Sequence, residues 1–396
     1  MMEYTDYASV GVGDLLRCGL GLGIFQGIET IEEAQDRVAI LVQSLKSSCL
    51  LVDTPDSERL SMHDVVHDIA RSIASRDRLM WVTNDFAGWV GADTDRFKYC
   101  KAITLHDIRV LLKGLECPEL KFLYMKTCDP FLEVPDDFFT NMPEIRVLHV
   151  IGMNLSSLPQ SLGLLANLHT LCMDQCKLQD VAVIGRLQKL EILSFHSSNI
   201  EKLPKEIGQL TRLRLLDLSH CFDLEVIEPN VLSRLTRLEV LYTSNTSIQW
   251  AVEGSNNTGL YELKNLQFLM TLEIHIRDAK LGPEVLFSHL LKRYKIVVGG
   301  NWGNCEWNKK DGNAATLTAS AINDEIIWFN QLSAMRSLVE NLTHLIVQGC
   351  GKVSYLFPVS IVNSFVHRQY LEICECTVLE DIIAVEEHQE KKKERD

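Results

Sequence analysis

LHTLCMDQC (168–176) and LEILSFHSS (190–198) repeat one spacing of apolar residues, 22 positions apart. Positions one, four and six carry Leu168, Leu171 and Met173 in the first copy, and Leu190, Leu193 and Phe195 in the second. Positions four and six share one face of an extended chain, and positions five and seven share the other. Each copy is therefore a short strand with one apolar edge, and no single copy can bury that edge.

Working outward, the spacing recurs upstream as CKAITL (100–105), LKFLYMKTC (120–128) and IRVLHVIGM (145–153). Downstream it recurs as LRLLDLSHC (213–221), LEVLYTSNT (238–246) and LMTLEIHIR (269–277), then after a gap as LTHLIVQGC (342–350) and RQYLEICEC (368–376). Starts about 20 to 26 residues apart over the clean portion fall in the leucine-rich-repeat range. Stacked neighbours bury what single repeats expose, so the expected architecture is a solenoid of short parallel strands, a horseshoe, α/β in class.

Position nine accounts for much of the cysteine content. Cys128, Cys176, Cys221, Cys350 and Cys376 all stand there, where a thiol can bond turn backbone inside the stack. Buried rungs of this kind are expected to be reduced rather than paired in disulfides. Cys374 and Cys376 form a C-x-C, but strand alternation turns them to opposite faces, so the pair fails as a chelate.

Composition narrows the partners. The 396-residue chain is 46% apolar and 23% charged, with 39 basic and 53 acidic residues and a net charge of −14. Such acidity disfavours nucleic acid, whose binding rests on basic surfaces. The acidic start MMEYTDYASVGVGD lacks the blocks of a signal peptide. The apolar stretch from Leu15 to Ile28 holds Arg17, Gln26 and several glycines and is too short to span a bilayer. A cytoplasmic protein with no transmembrane segment is expected.

The first hundred residues lack the repeat. Asp14 to Phe25 reads as a short glycine-containing helix. Thr30 and Glu33 form a capping box before a stripe of Ala34, Val38, Leu41, Val42 and Leu45. SCLLV (48–52) and RLSM (59–62) read as strands around the turn DTPDSE, and a helix follows with Val65, Val66, Ile69, Ala70 and Ile73 on one apolar face. Helix, helix, hairpin, helix is compatible with a winged-helix-like module. The expected organisation is that module at 1–80, a linker at 81–99, repeats at 100–281, a degenerate repeat and Trp/Gly-rich insertion at 282–340, further repeats at 341–385, and a charged tail at 386–396. LKRYKIVV (291–298) is the degenerate repeat. Trp302 and Trp307 in GGNWGNCEWNKKDGN are candidate loop anchors.

Met62-His63-Asp64, closing a hairpin strand, opening an amphipathic helix and followed by leucine-rich repeats, resembles plant disease-resistance proteins of the coiled-coil, nucleotide-binding, leucine-rich-repeat class. DLLRCGLGLGIFQGIETIEEAQDRVAILVQSLKSSCLL (14–51) is similar to their winged-helix subdomain. NLTHLIVQGCGKVSYLF (341–357) and YLEICECTVLEDII (370–383) look like their C-terminal repeats. The resemblance implies an ADP/ATP switch in which His63 faces the β-phosphate, positioned by Met62 and Asp64. It implies protein partners for the repeats: a pathogen effector, a guarded host protein, or the receptor's own nucleotide-binding domain. The chain departs from that family in holding no G-x-x-x-x-G-K-[ST]. It is therefore expected to be a truncated member without the coiled-coil and P-loop regions, to bind no nucleotide stably by itself, and not to be an enzyme.

Outward positions five and seven give the expected concave protein-binding face: Tyr124, Lys126, His149, Asp174, His196, Asp217, Tyr242, Glu273 and His275. His149, His196 and His275 come from different repeats, and no metal site is assigned to them. Two alternatives stand beside the receptor reading. One is a free-standing leucine-rich-repeat interaction module without nucleotide binding. The other is a metal-dependent HD-type phosphohydrolase built on His63 and His67, which needs further ligands from separate helices.

Overall fold

The leucine spacing folds as its periodicity requires. In the computed structural model, residues 9–54, 59–76, 80–83, 94–129, 131–251, 257–277, 291–299, 315–320, 343–348, 355–357, 370–374 and 381–383 are described. They fall into two units, Met1–Asp217 and Leu218–Asp396.

The first unit opens with β1 (Ser9–Gly11), α1 (Val12–Leu22) and α2 (Ile31–Ser47), then β2 (Leu51–Asp53), β3 (Arg59–Met62) and α3 (Asp64–Arg76). β3 lies between β1 and β2, antiparallel to both. The hairpin is as expected; the third strand, β1, is an addition that a three-residue segment gives no periodicity to detect. Gly23 ends α1 in the left-handed conformation, φ 69°, its N–H returning to the carbonyls of Gly19 and Leu20. Thr30 caps α2 through its hydroxyl to the Glu33 N–H at 3.2 Å, and Glu33 Oε2 accepts from the Thr30 N–H at 3.3 Å.

Two helix faces differ from expectation. On α2 the buried stripe is Ile31, Ala34, Val38 and Val42, whereas Leu41 and Leu45 are exposed. On α3 most of the apolar face is exposed, with Val65, Ile69 and Ile73 at 70%, 56% and 49% exposure and Val66 half-buried. A 3.6-residue period identifies which side chains share a face, not what covers it.

Parallel strands follow: β4 (Met80–Thr83), β5 (Ala102–Leu105), β6 (Phe122–Lys126) and β7 (Val147–Ile151), with β8 (Asn154–Ser157) behind, then β9 (Thr170–Asp174) with β10 (Lys177–Asp180) behind, β11 (Ile192–Ser194), β12 (Lys202–Leu203) and β13 (Leu215–Asp217). Their hydrogen-bonded order is β4-β5-β6-β7-β9-β11-β13. The ladder begins at Met80, within the segment where the sequence suggests the module's end and a linker. Register places Ile103, Leu123, Leu148, Leu171, Leu193 and Leu216 in one row, all at most 1% exposed. The row is the repeats' fourth position.

The turn after each strand has its own rule. Position eight takes positive φ at Gly152 (75°), Gln175 (56°) and Ser197 (57°), so the chain leaves the strand through a left-handed residue. Gly152 is required, because a Cβ there would lie 2.4 Å from the Thr127 carbonyl oxygen. At position nine, Cys176 is fully buried, its thiol 3.4 Å from the Asp174 carbonyl oxygen and 3.7 Å from that of Val150. Cys128 departs from this pattern and is exposed. Its rung is served instead by buried Thr127, whose hydroxyl donates to the Ile108 carbonyl at 2.5 Å. Among the described residues, Cys18, Cys49, Cys100, Cys117, Cys128, Cys172, Cys176 and Cys221 are free thiols.

The second unit contains β14 (Val226–Ile227), β15 (Val240–Tyr242), β16 (Thr271–Ile276), β17 (Arg293–Gly299), β18 (Ala315–Ser320), β19 (His344–Gln348), β20 (Tyr355–Phe357), β21 (Tyr370–Cys374) and β22 (Asp381–Ile383). The order β15-β16-β17-β18-β19-β21 is parallel throughout. β17 is the degenerate repeat LKRYKIVV; β18 is a strand that the leucine spacing does not reveal, since ATLTAS holds one leucine. Register carries Ile274 to Ile296, Leu317, Leu345 and Leu371. The apolar row thus moves from the sixth position to the fourth, a shift of two that keeps the same face inward. Trp302, Trp307, Cys350 and Cys376 lie outside the described residues. No described helix is long and apolar enough to cross a membrane.

Candidate functional site: an arginine latch on the repeat strands

Outward positions five and seven of consecutive repeats in the first unit are His149 on β7, Cys172 and Asp174 on β9, Ser194 on β11 and Asp217 on β13. Register sets His149 directly beside Cys172. α1 packs on this face. Its approach depends on Gly21, where a Cβ would stand 2.5 Å from Thr170 Oγ1 and 2.6 Å from Val147 Cγ2. The Thr170 hydroxyl donates to the Arg17 carbonyl at 3.0 Å.

Arg17 is the centre of the contact. Its Nη2 pairs with Asp217 Oδ2, while Nη1 donates to Ser194 Oγ at 3.2 Å and lies 3.6 Å from Asp174 Oδ2. Ser194 Oγ donates to Asp174 Oδ1 at 2.7 Å, and His149 Nε2 lies 3.2 Å from Asp174 Oδ2. Farther along, Arg214 Nη2 donates to the Glu29 carbonyl at 2.6 Å. Tyr124 stands edge-on to His149, ring centroids 5.3 Å apart.

The electrostatics follow from burial and partners. Burial pulls the His149 imidazole down, but hydrogen bonds to Asp174 and Cys18 and the Asp174 charge outweigh it, and its pKa rises to about 10. Burial pushes the Asp174 carboxyl up, but the His149 hydrogen bond and charge, Arg17 and Ser194 bring it below the usual carboxylate range. Burial lowers the Arg17 guanidinium, yet Asp217, Cys172 and Asp174 leave it firmly charged. Burial drives the Cys172 thiol well above its ordinary value. Two carboxylates therefore face two cations, and the cluster is close to neutral where charge is expensive.

The residues expected on an open face are thus divided. His149, Asp174 and Asp217 are buried beneath α1, and Tyr124, Lys126 and His196 are half-buried. In the second unit Tyr242 and Glu273 are half-buried, and His275 is buried, its carbonyl accepting from Trp250 Nε1 at 2.9 Å. His63 is exposed at the junction of β3 and α3, its carbonyl accepting the His67 N–H at 2.9 Å; Asp64 is exposed and Met62 half-buried. His67 is half-exposed, 3.8 Å from Asp68. Among the described residues, one group of three or more metal-ligating side chains converges: His149, Cys172 and Asp174, without His63 or His67. Cys172 and Ser194 stand at position five and were open to the same reading as His149. Arg17 carried a different signal, a single cation inside a glycine-rich apolar stretch.

Family models for leucine-rich repeats match most of the chain. Residues 102–353 match the family model described as leucine-rich repeat region, and residues 313–396 match leucine-rich repeats of plant disease resistance proteins of the RPS2-like type. Disease resistance protein At4g27190 of Arabidopsis thaliana is 29% identical over 315 residues, 75% of this chain and 32% of that protein. Probable disease resistance protein At4g27220 of the same plant is 29% identical over 298 residues, 73% of this chain and 32% of that protein. The chain therefore spans about a third of the length of the curated relatives it matches. Among solved structures, an internalin (inlF) from Listeria monocytogenes aligns at 15% identity and a TM-score of 0.40, over 74% of this chain and 89% of that one. With the strand ladder and a family match across residues 102–353, the chain belongs to the leucine-rich repeat family.

Proposed function

We propose that this chain is the switch end and recognition region of a plant intracellular immune receptor, and that α1 latches the repeats in a resting arrangement. The observation that carries the reading is Arg17, held among Asp217, Ser194 and Asp174 on the face where a protein ligand would bind. A helix on that face and a partner on that face compete, so binding of one biases release of the other. The similarity to disease resistance proteins supports the functional class.

The hairpin-to-α3 junction supports the nucleotide half of the reading. His63 presents an exposed side chain at a helix start, a setting suited to a phosphate. In a complete receptor His63 would contact ADP, with Met62 and Asp64 positioning it, and exchange for ATP would free the module. The open face of Val65, Ile69 and Ile73 fits a covering domain of the same receptor. The chain alone, without the P-loop sequence, binds neither nucleotide stably and catalyses nothing. The remaining outward residues, among them Lys126, His196, Tyr242 and Glu273, meet an effector, a guarded host protein or the nucleotide-binding domain.

The test is made in the plant, with Arg17→Met introduced at the native locus. Loss of the latch is expected to switch on defence genes without a pathogen. Silence equal to wild type, with normal protein levels, would contradict the resting role and favour a free-standing interaction module.

A further inference from the structure

We propose that His149, Cys172 and Asp174 form a three-residue binding site for a zinc-type divalent cation, with an open fourth position. The repeat backbone brings the three together: His149 and Cys172 are directly paired across β7 and β9, and Asp174 is two residues on, facing the same way. A ligating atom from each lies within 4.8 Å of the others. Tetrahedral zinc with bonds of roughly 2.0–2.3 Å separates its ligands by roughly 3.3–3.8 Å. His149 Nε2 and Asp174 Oδ2 are already 3.2 Å apart, so the contraction needed falls on Cys172.

The donor set selects the ion. Imidazole, thiolate and one carboxylate suit zinc and its neighbours, whereas magnesium and calcium take oxygen ligands almost exclusively. Ser194 already orients the carboxylate by donating to Asp174 Oδ1 at 2.7 Å, the kind of support that ligating carboxylates receive. Arg17 does not block the site: its tighter partner is Asp217, and only one of its nitrogens lies near Asp174, at 3.6 Å. A metal there would tie β7 to β9 by coordination, beneath the ion pair of α1. The rival arrangement is a self-contained buried pair, because His149 and Asp174 also bond each other directly.

Cobalt titration of the full chain, reduced and stripped with a chelator, separates the two. One equivalent of Co²⁺ is expected to give the visible bands of a four-coordinate ion and a near-ultraviolet thiolate-to-metal band, both removed by zinc. Cys172→Ala and His149→Ala abolish the signal. Ser194→Ala weakens binding by roughly 10–100-fold. Cys18→Ser leaves the thiolate band in place, which assigns the band to Cys172, and circular dichroism checks that each buried variant keeps the repeat fold. Absence of a thiolate band, or a band unchanged by Cys172→Ala in folded protein, overturns the site. The result is independent of the defence readout, which reports the latch and not the metal.

Discussion

Replacing Arg17 with Met keeps most of the aliphatic stem but removes the guanidinium from between Asp174 and Asp217. The side chains involved are 14%, 11% and 4% exposed, so solvent cannot readily take the cation's place. Breaking a buried pair by deleting one partner costs about 3–5 kcal/mol. Asp174 keeps His149 and Ser194, which places the expected loss near the lower end, about 3 kcal/mol. The helix has a cheaper response than unfolding the repeats: it can leave them. At 1.4 kcal/mol per factor of ten, about 3 kcal/mol raises the undocked population roughly 100-fold. Amide hydrogen exchange across residues 12–22 reads that population directly. Arg17→Met is expected to accelerate exchange there roughly 100-fold while β9 and β11 keep their protection. Arg17→Lys retains the charge without the forked donors and is expected to give a smaller change. Unaltered α1 exchange in Arg17→Met would refute the argument that the ion pair holds the helix.

Other outcomes follow from the same geometry. Gly21→Ala places a methyl group 2.5 Å from Thr170 Oγ1 and 2.6 Å from Val147 Cγ2, and is expected to weaken docking by about 1–3 kcal/mol, measurable by the same exchange experiment. Leu193→Ala removes a fully buried rung of the ladder and is expected to cost about 2–5 kcal/mol in urea unfolding of the first unit. The His149 contribution is full below its ordinary value of 6.5 and is lost as pH rises through about 10. The Asp174 contribution, with its carboxyl below the ordinary 3.8, is full above that value and is lost as pH falls through the depressed one. Thermal melts in chelator should therefore be flat from 3.8 to 6.5 in these contributions and decline towards alkaline pH, and His149→Gln should remove most of the decline.

The repeats were legible because a row such as Leu171, Leu193 and Leu216 must recur at fixed spacing if neighbours are to bury one another. β18 was not, since a strand flanked on both sides can keep its place with Leu317 alone of that pattern. The capping box at Thr30 and Glu33 was local chemistry and so was readable. The latch was different. Asp174, Asp217 and His149 were visible as outward residues, but what lay over them came from a helix more than a hundred residues earlier. Only Gly21 and Arg17 hinted at it, and both hints acquire meaning from Thr170 and Asp217, which no local pattern connects to them.

The most direct measurement is zero-length carbodiimide coupling in the Arg17→Lys variant of the full chain, followed by peptide mass spectrometry. The reagent joins an amine to a carboxylate only in contact. With α1 seated on the strands, the amine at position 17 should be joined to Asp217 or Asp174, 200 and 157 residues away in the chain. Coupling to Asp14 alone, with neither repeat carboxylate captured in folded protein, would contradict the latch.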